Sequence, residues 1–194
     1  MSYITSLGLA NPSYRFDQST IADFMIRGLH LDEQGAARLK ALYRASGIDS
    51  RYSVLGDYGR KDQFTFYGND SGLEPFPTTQ ARLELFRKHA VTLSLQSASE
   101  CLSKTRSVKV DDITHLVVVS CTGMYAPGLD IDLVHALKLR TDVQRTCINF
   151  MGCYAAFNAL KLADSFCYGS ADAKVLIVCT ELCSIHFEIG RAHV

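Results

Sequence analysis

The chain has 194 residues, enough for one domain with a sizeable core. Hydrophobic residues make up 47% and charged residues 21%, and 20 Lys and Arg balance 20 Asp and Glu, so charge gives no case for nucleic acid or an anionic membrane as partner. No apolar run approaches the ~20 residues of a membrane span, and Met-Ser-Tyr-Ile-Thr-Ser-Leu lacks a basic segment followed by an apolar one, so no signal peptide is expected. Seven cysteines without a framework spacing suit the reduced thiols of a cytoplasmic protein.

Taken in order, Tyr3 to Leu9 alternates and predicts a strand, stopped by Asn11-Pro12. Ile21, Phe24, Met25 and Leu29 recur at helical spacing, with Asp17 placed to cap them. A second helix starts at Leu31-Asp32-Glu33, carries Leu39, Leu42 and Tyr43 on one face and ends at Gly47. Arg38, Lys40 and Arg44 lie on or beside its polar side. They read either as a solvated face or as a contact for the phosphates of a nucleotide-bearing substrate. Ile48 to Asp57 and Gln63 to Tyr67 read as extended and irregular. Pro77-Thr78-Thr79 opens a long helix to about Ser103, on which His89 shares a row with Leu85 and Leu93 and reads as a satisfied helix histidine.

The second half alternates strand and helix. Leu116 to Val119, Arg145 to Phe150 and Lys174 to Thr180 predict strands, the apolar runs suiting burial on both faces. Asp130 to Leu139 and Tyr154 to Cys167 predict helices, the latter with Ala156, Phe157, Leu160, Ala163 and Cys167 read as its inward face. The result is an α/β fold, a mostly parallel sheet with helices on both faces. Ligands of such sheets gather at the strands' carboxyl ends, where Ser120-Cys121-Thr122, Cys153 and the stretch from Cys183 to Phe187 fall.

The chain is organised around Ile148-Asn149-Phe150-Met151-Gly152-Cys153-Tyr154-Ala155-Ala156-Phe157. An apolar run stops at a glycine, a cysteine follows, and helical periodicity begins. The positive end of a helix stabilises a thiolate, lowering such thiols by one to several units from about 8.5. Gly152 leaves the approach to the sulfur uncrowded, and Ala155 and Ala156 let the helix lie close to the sheet. Cys153 therefore reads as a nucleophile carrying an acyl group, against the plain alternative of a cysteine packed as a small hydrophobe.

Several segments together resemble the N-terminal half of the chalcone and stilbene synthase family, the type III polyketide synthases. They are Ile113-Thr114-His115-Leu116-Val117, Pro127-Gly128 with Asp130 behind, Gly152-Cys153-Tyr154-Ala155, Leu160 through Ala163, and Val175-Leu176-Ile177-Val178-Cys179-Thr180-Glu181. Their order fits from about Tyr3 to Phe187. The set is specific to thiolase-like condensing enzymes, and the aromatic after the cysteine and the Cys-Thr-Glu strand end favour type III over ketoacyl-ACP synthase III.

The resemblance implies the N-terminal half of a thiolase-like fold and iterative decarboxylative condensation of malonyl-CoA onto an acyl-CoA starter held as a thioester on Cys153. By the same resemblance Cys121 and Thr122 line the acyl pocket, His186 sits where starter and chain length are affected, and Arg38 loosely matches a CoA-binding position. Catalytic histidine and asparagine come from the family's second half, and the full-length enzyme is a homodimer. Two departures point to a bacterial member with a different starter: Ala126 replaces the methionine that plant members carry before Pro-Gly, and the plant CoA-binding cations are matched at best by Arg38.

The expected domain is 1–187, with the C-terminal half missing. Residues 189–194, Ile-Gly-Arg-Ala-His-Val, read as a translation of ATC GGA AGA GCA CAC GTC, a common sequencing-adapter read, so 188–194 is expected to be a spurious tail. Such a half-fold leaves a sheet face and edge uncovered, so the chain alone is expected to be poorly soluble and inactive in condensation. The competing readings are a ketoacyl-ACP synthase III-like enzyme and a non-catalytic thiolase-fold subunit. No metal or cofactor is expected: Cys179, Cys183 and His186 lack a fourth ligand and begin inside a buried strand.

Overall fold

The computed structural model describes residues 2–187, so the tail reading made on 188–194 lies outside the described residues. The chain divides into two compact units. One gathers the residues up to Ala10 with Leu83–Leu182, the other Asn11–Arg82 with the residues from Cys183.

In the first unit, strands β3 (His115–Ser120), β4 (Gln144–Asn149) and β5 (Val175–Cys179) form a parallel sheet in the order β4-β3-β5. Val117 stands opposite Thr146 on one side and Ile177 on the other. All six residues of β3 are buried, the expected fate of an uninterrupted apolar run in a central parallel strand. Side chains alternate across it. Val117 and Val119 pack on Ala155 and Ala159 of helix α5 (Ala155–Gly169), while Val118 and Ser120 line a cleft on the opposite face with Phe86 of α3 (Thr79–Ser103). Helices thus cover both faces. Helix α4 (Leu129–Leu137) connects β3 to β4. The Ser94 hydroxyl lies 2.5 Å from that of Thr180, pinning α3 to the end of β5. His89 of α3 is half-buried, and burial, then Lys88, lowers its pKa.

Two expectations fail in this unit. Residues 3–9 form no strand. Their backbone finds partners on α3 instead: Lys104 Nζ donates to the Leu7 carbonyl at 3.1 Å, and the Leu9 N–H donates to Glu100. Gly8 permits the approach, since a Cβ there would lie 2.0 Å from the Ser97 carbonyl. The inward face of α5 is also displaced. Ala155 and Ala159 are fully buried, whereas Phe157 and Leu160 are 58% and 45% exposed. Small residues let the helix sit close on β3, and that contact, rather than the larger apolar side chains, chooses the buried face.

In the second unit, β1 (Tyr14–Asp17) pairs antiparallel with β2 (Ser50–Ser53), with Tyr14 opposite Ser53. Helices α1 (Gln18–Gly28) and α2 (Glu33–Ala45) lie between them in sequence. Asp17 occupies the α1 N-cap, but its side chain makes no capping bond. Asp32 does cap α2, accepting from the Gly35 N–H at 2.7 Å. Gly47 follows the α2 C-cap with φ +67°, the left-handed geometry its sequence position predicts. The core here is aromatic. Phe24 and Tyr58 meet edge to face with ring centroids 4.8 Å apart, and Tyr67 lies 5.6 Å from Phe24.

Candidate active site

Cys153 lies past the carboxyl end of β4, in a single 3-10 turn, Gly152–Tyr154, and is exposed. Tyr154 is the N-cap of α5 and makes no side-chain cap, so Cys153 sits just ahead of a helix start whose first N–H groups have no intrahelical partner. The backbone reaches this turn through two left-handed residues, Phe150 at φ +58° and Gly152 at φ +65°. A bulky residue held there stores about 1–2 kcal/mol. Beyond its chain neighbours a Cβ on Gly152 would meet nothing within 4 Å, and its φ is one that L side chains rarely adopt, so the backbone conformation is itself a reason for glycine here.

The neighbouring strand end supplies Cys121 and Thr122. The Cys121 thiol donates to the Gly152 carbonyl at 3.5 Å, placing it beside the peptide that leads into Cys153. Glu181, two residues beyond β5, reaches across the strand ends. Its carboxylate accepts from the Cys121 N–H at 2.8 Å and from the Thr122 hydroxyl at 2.6 Å. That hydroxyl in turn accepts from the Leu182 N–H at 2.8 Å. Sequence reasoning assigned Glu181 no role. The signal was an acidic residue directly after an apolar strand, in a place where its charge must find donors.

The cleft on the opposite sheet face encloses about 130 Å³ between Val118, Ser120, Gly123, Tyr125, Cys147 and Asn149, among others. Burial first, then the Asp130 carboxylate, pushes the Cys147 thiol up to about 11, so it is a poor nucleophile at neutral pH. Asp130 is itself paired with Arg145. The Cys179 thiol is likewise raised, by burial and then by Glu181.

Cys121, Thr122 and Cys153 are brought together in the first unit. Arg38 and His186 belong to the second. Arg38 is exposed on α2, and His186 is exposed at the end of a 3-10 turn, Cys183–His186. Among the described residues, no group of three His, Cys, Asp or Glu side chains is placed to hold a metal ion, and no helix is long and apolar enough to cross a membrane.

A family model described as "Chalcone and stilbene synthases, N-terminal domain" matches residues 1–192. The alpha-pyrone synthesis polyketide synthase-like Pks18 of Mycobacterium tuberculosis is 31% identical over 186 residues, covering 96% of this chain and 45% of that protein. Among solved structures, the C-terminal type III polyketide synthase domain of Steely1 from Dictyostelium superposes with a TM-score of 0.84 at 27% identity, covering 96% of this chain and 49% of that one. PKS-I from the brown alga Ectocarpus siliculosus gives 0.83 at 33% identity, with coverages of 94% and 48%. The chain spans about half the length of each of these three relatives.

Proposed function

Because the chain belongs to the chalcone and stilbene synthase family and carries its N-terminal, thiolase-like portion, we propose that it is the nucleophile-bearing half of a type III polyketide synthase, an acyltransferase that uses CoA thioesters. The observation that carries this reading is an exposed Cys153 held on a left-handed turn at a parallel-strand end, just ahead of a helix start, with a second thiol and a carboxylate-braced threonine beside it.

In the proposed reaction the Cys153 thiolate attacks the carbonyl of an acyl-CoA starter. The tetrahedral intermediate collapses, expelling the CoA thiolate and leaving an acyl thioester on the enzyme. Malonyl-CoA then loses carbon dioxide. The electron pair of the broken C–C bond forms an enolate, which attacks the Cys153 thioester, and the β-ketoacyl-CoA leaves as the Cys153 thiolate is restored. Cys121 and Thr122 line the acyl pocket. Arg38 meets the CoA end of the substrate and His186 the growing chain, both carried over from the family resemblance. The histidine and asparagine that stabilise the oxyanions belong to the family's second half.

The working form is a cytoplasmic homodimer. Strand β4 pairs only with β3 among the described strands, and its Gln144, Arg145, Cys147 and Asn149 are exposed. An edge of this kind is completed by a second copy meeting it antiparallel across a two-fold axis.

Intact-mass spectrometry after incubation with a panel of acyl-CoA starters tests the reading. The expected result is one acyl adduct per chain, absent from Cys153→Ala and mapped to Cys153 by peptide analysis. Acylation that survives this substitution, or a cellular role of the full-length protein that does so, overturns it in favour of a non-catalytic thiolase-fold subunit.

A further inference from the structure

The turn Cys183–His186 is held within the second unit by hydrogen bonds and ring contacts. The Ser184 carbonyl accepts hydrogen bonds from the Tyr58 hydroxyl at 2.6 Å and the Tyr67 hydroxyl at 3.1 Å. The two phenol oxygens lie 3.0 Å apart. The Ser184 hydroxyl is 2.8 Å from that of Ser53. Ile185 is fully buried, and Phe187 sets its ring edge-on to Phe24 and Tyr67, with centroids 6.0 and 6.1 Å away.

Tyr67 is anchored in its turn. The Asp57 carboxylate, 0% exposed, accepts from the N–H groups of Thr65, Phe66 and Tyr67. A line of contacts therefore runs from Asp57 through Tyr67 to Ser184, two residues before the exposed His186.

The proton count adds a constraint. Two phenols carry two protons, yet three close oxygen contacts join Tyr58, Tyr67 and the Ser184 carbonyl. One phenol can therefore donate to the carbonyl while the other donates to its neighbour, or both can donate to the carbonyl. Removing either hydroxyl leaves the other free to turn onto the carbonyl. Removing both strips it of these two donors while leaving the ring packing in place. Such a shared site is non-additive.

We propose that Tyr58 and Tyr67 are positioning residues that jointly hold the Cys183–His186 turn, and that through it they set how long an acyl chain the enzyme builds. The proposal rests on the reading of His186 as a contact for the growing chain. Ser184 and His186 share one four-residue 3-10 turn with the buried Ile185 between them, so movement of Ser184 carries His186 with it, and a shift of about 1 Å is enough to change a reaction's course.

The experiment compares Tyr58→Phe, Tyr67→Phe and the double variant. In the full-length synthase, hydrogen exchange is followed in the peptide covering Cys183 to Phe187. Each single variant is expected to stay near wild type, and the double variant to exchange roughly tenfold faster there. In the full-length synthase, the double variant is expected to keep the rate of Cys153 acylation by the starter while the ratio of shorter to longer polyketides shifts several-fold. Additive single effects, unchanged exchange in the double variant, or faster exchange with an unaltered product ratio each overturn the proposal. A wild-type synthase that takes no acyl group on Cys153 overturns the functional reading beneath it, and is told apart because the exchange measurement needs no turnover.

Discussion

Thr122 and Glu181 are locked to each other: the threonine hydroxyl donates to the carboxylate at 2.6 Å and is itself fixed by the Leu182 N–H at 2.8 Å. The hydroxyl has one direction to point, and the ends of β3 and β5 are joined through it. Thr122→Val deletes the hydroxyl and leaves the Leu182 N–H without this partner, at a cost of about 1–3 kcal/mol. The expected outcome is a lower unfolding midpoint and Cys153 acylation slowed by roughly tenfold or more, from a shift of the pocket wall. Thr122→Ser restores both. A valine variant indistinguishable from wild type in both readouts would remove Thr122 from the site.

Gly123 follows at once and tolerates no side chain. A Cβ there would fall 2.1 Å from Cγ of Phe86, a residue only 1% exposed. The buried ring must shift, so Gly123→Ala is expected to cost about 1–3 kcal/mol, or roughly 2–4 °C per kcal/mol in a chain of this size. Calorimetry checks the loss, and Phe86→Leu in the same chain is expected to recover part of it.

Asp57 makes the second unit acid-sensitive. Burial alone would raise its pKa, but hydrogen bonds from the Thr65 hydroxyl and from the N–H groups of Thr65, Phe66 and Tyr67 outweigh this and hold it below the ordinary value. The folded pKa is therefore depressed relative to an unfolded value near about 3.9. The stabilisation is present above that unfolded value and is lost as pH falls through the folded one. Asp57→Asn is expected to be less stable than wild type at neutral pH, with the gap closing below about pH 4. Denaturant midpoints across that range check it, and a gap independent of pH contradicts the assignment.

Tyr154 at the N-cap of α5, and Phe157 and Leu160 on the helix, are 53%, 58% and 45% exposed, next to an exposed Phe150 and Met151. Contiguous apolar surface of this kind drives association. The chain alone is expected to aggregate and to show negligible condensation, and Phe157→Glu with Leu160→Gln to make it more soluble. Light scattering and malonyl-CoA consumption are the readouts. A soluble, monomeric, malonyl-CoA-consuming wild-type chain would refute this.

Wherever local pattern and burial coincide, the chain could be read directly. The apolar run Leu116 to Val119 lies wholly within the central strand, α3 spans Thr79–Ser103, and Gly47 ends α2 in the left-handed conformation. The motifs around Cys153 and Glu181 were enough to mark the family before any coordinates. These features depend on neighbours in sequence, on the alternation or helical spacing of apolar residues, and on glycine's conformational freedom.

Tertiary structure decided the rest, because contacts between distant residues carry no periodic trace in the chain. Nothing local says that residues 3–9 find partners on α3 rather than in a sheet. The same limit applies to α5, which turns its alanines inward because β3 leaves little room. Glu181 acquires a part to play only when parallel pairing sets the end of β5 beside Cys121 and Thr122, 60 and 59 residues away in the chain. Periodicity determined which segments are buried. Packing in three dimensions decided which polar groups meet at the site.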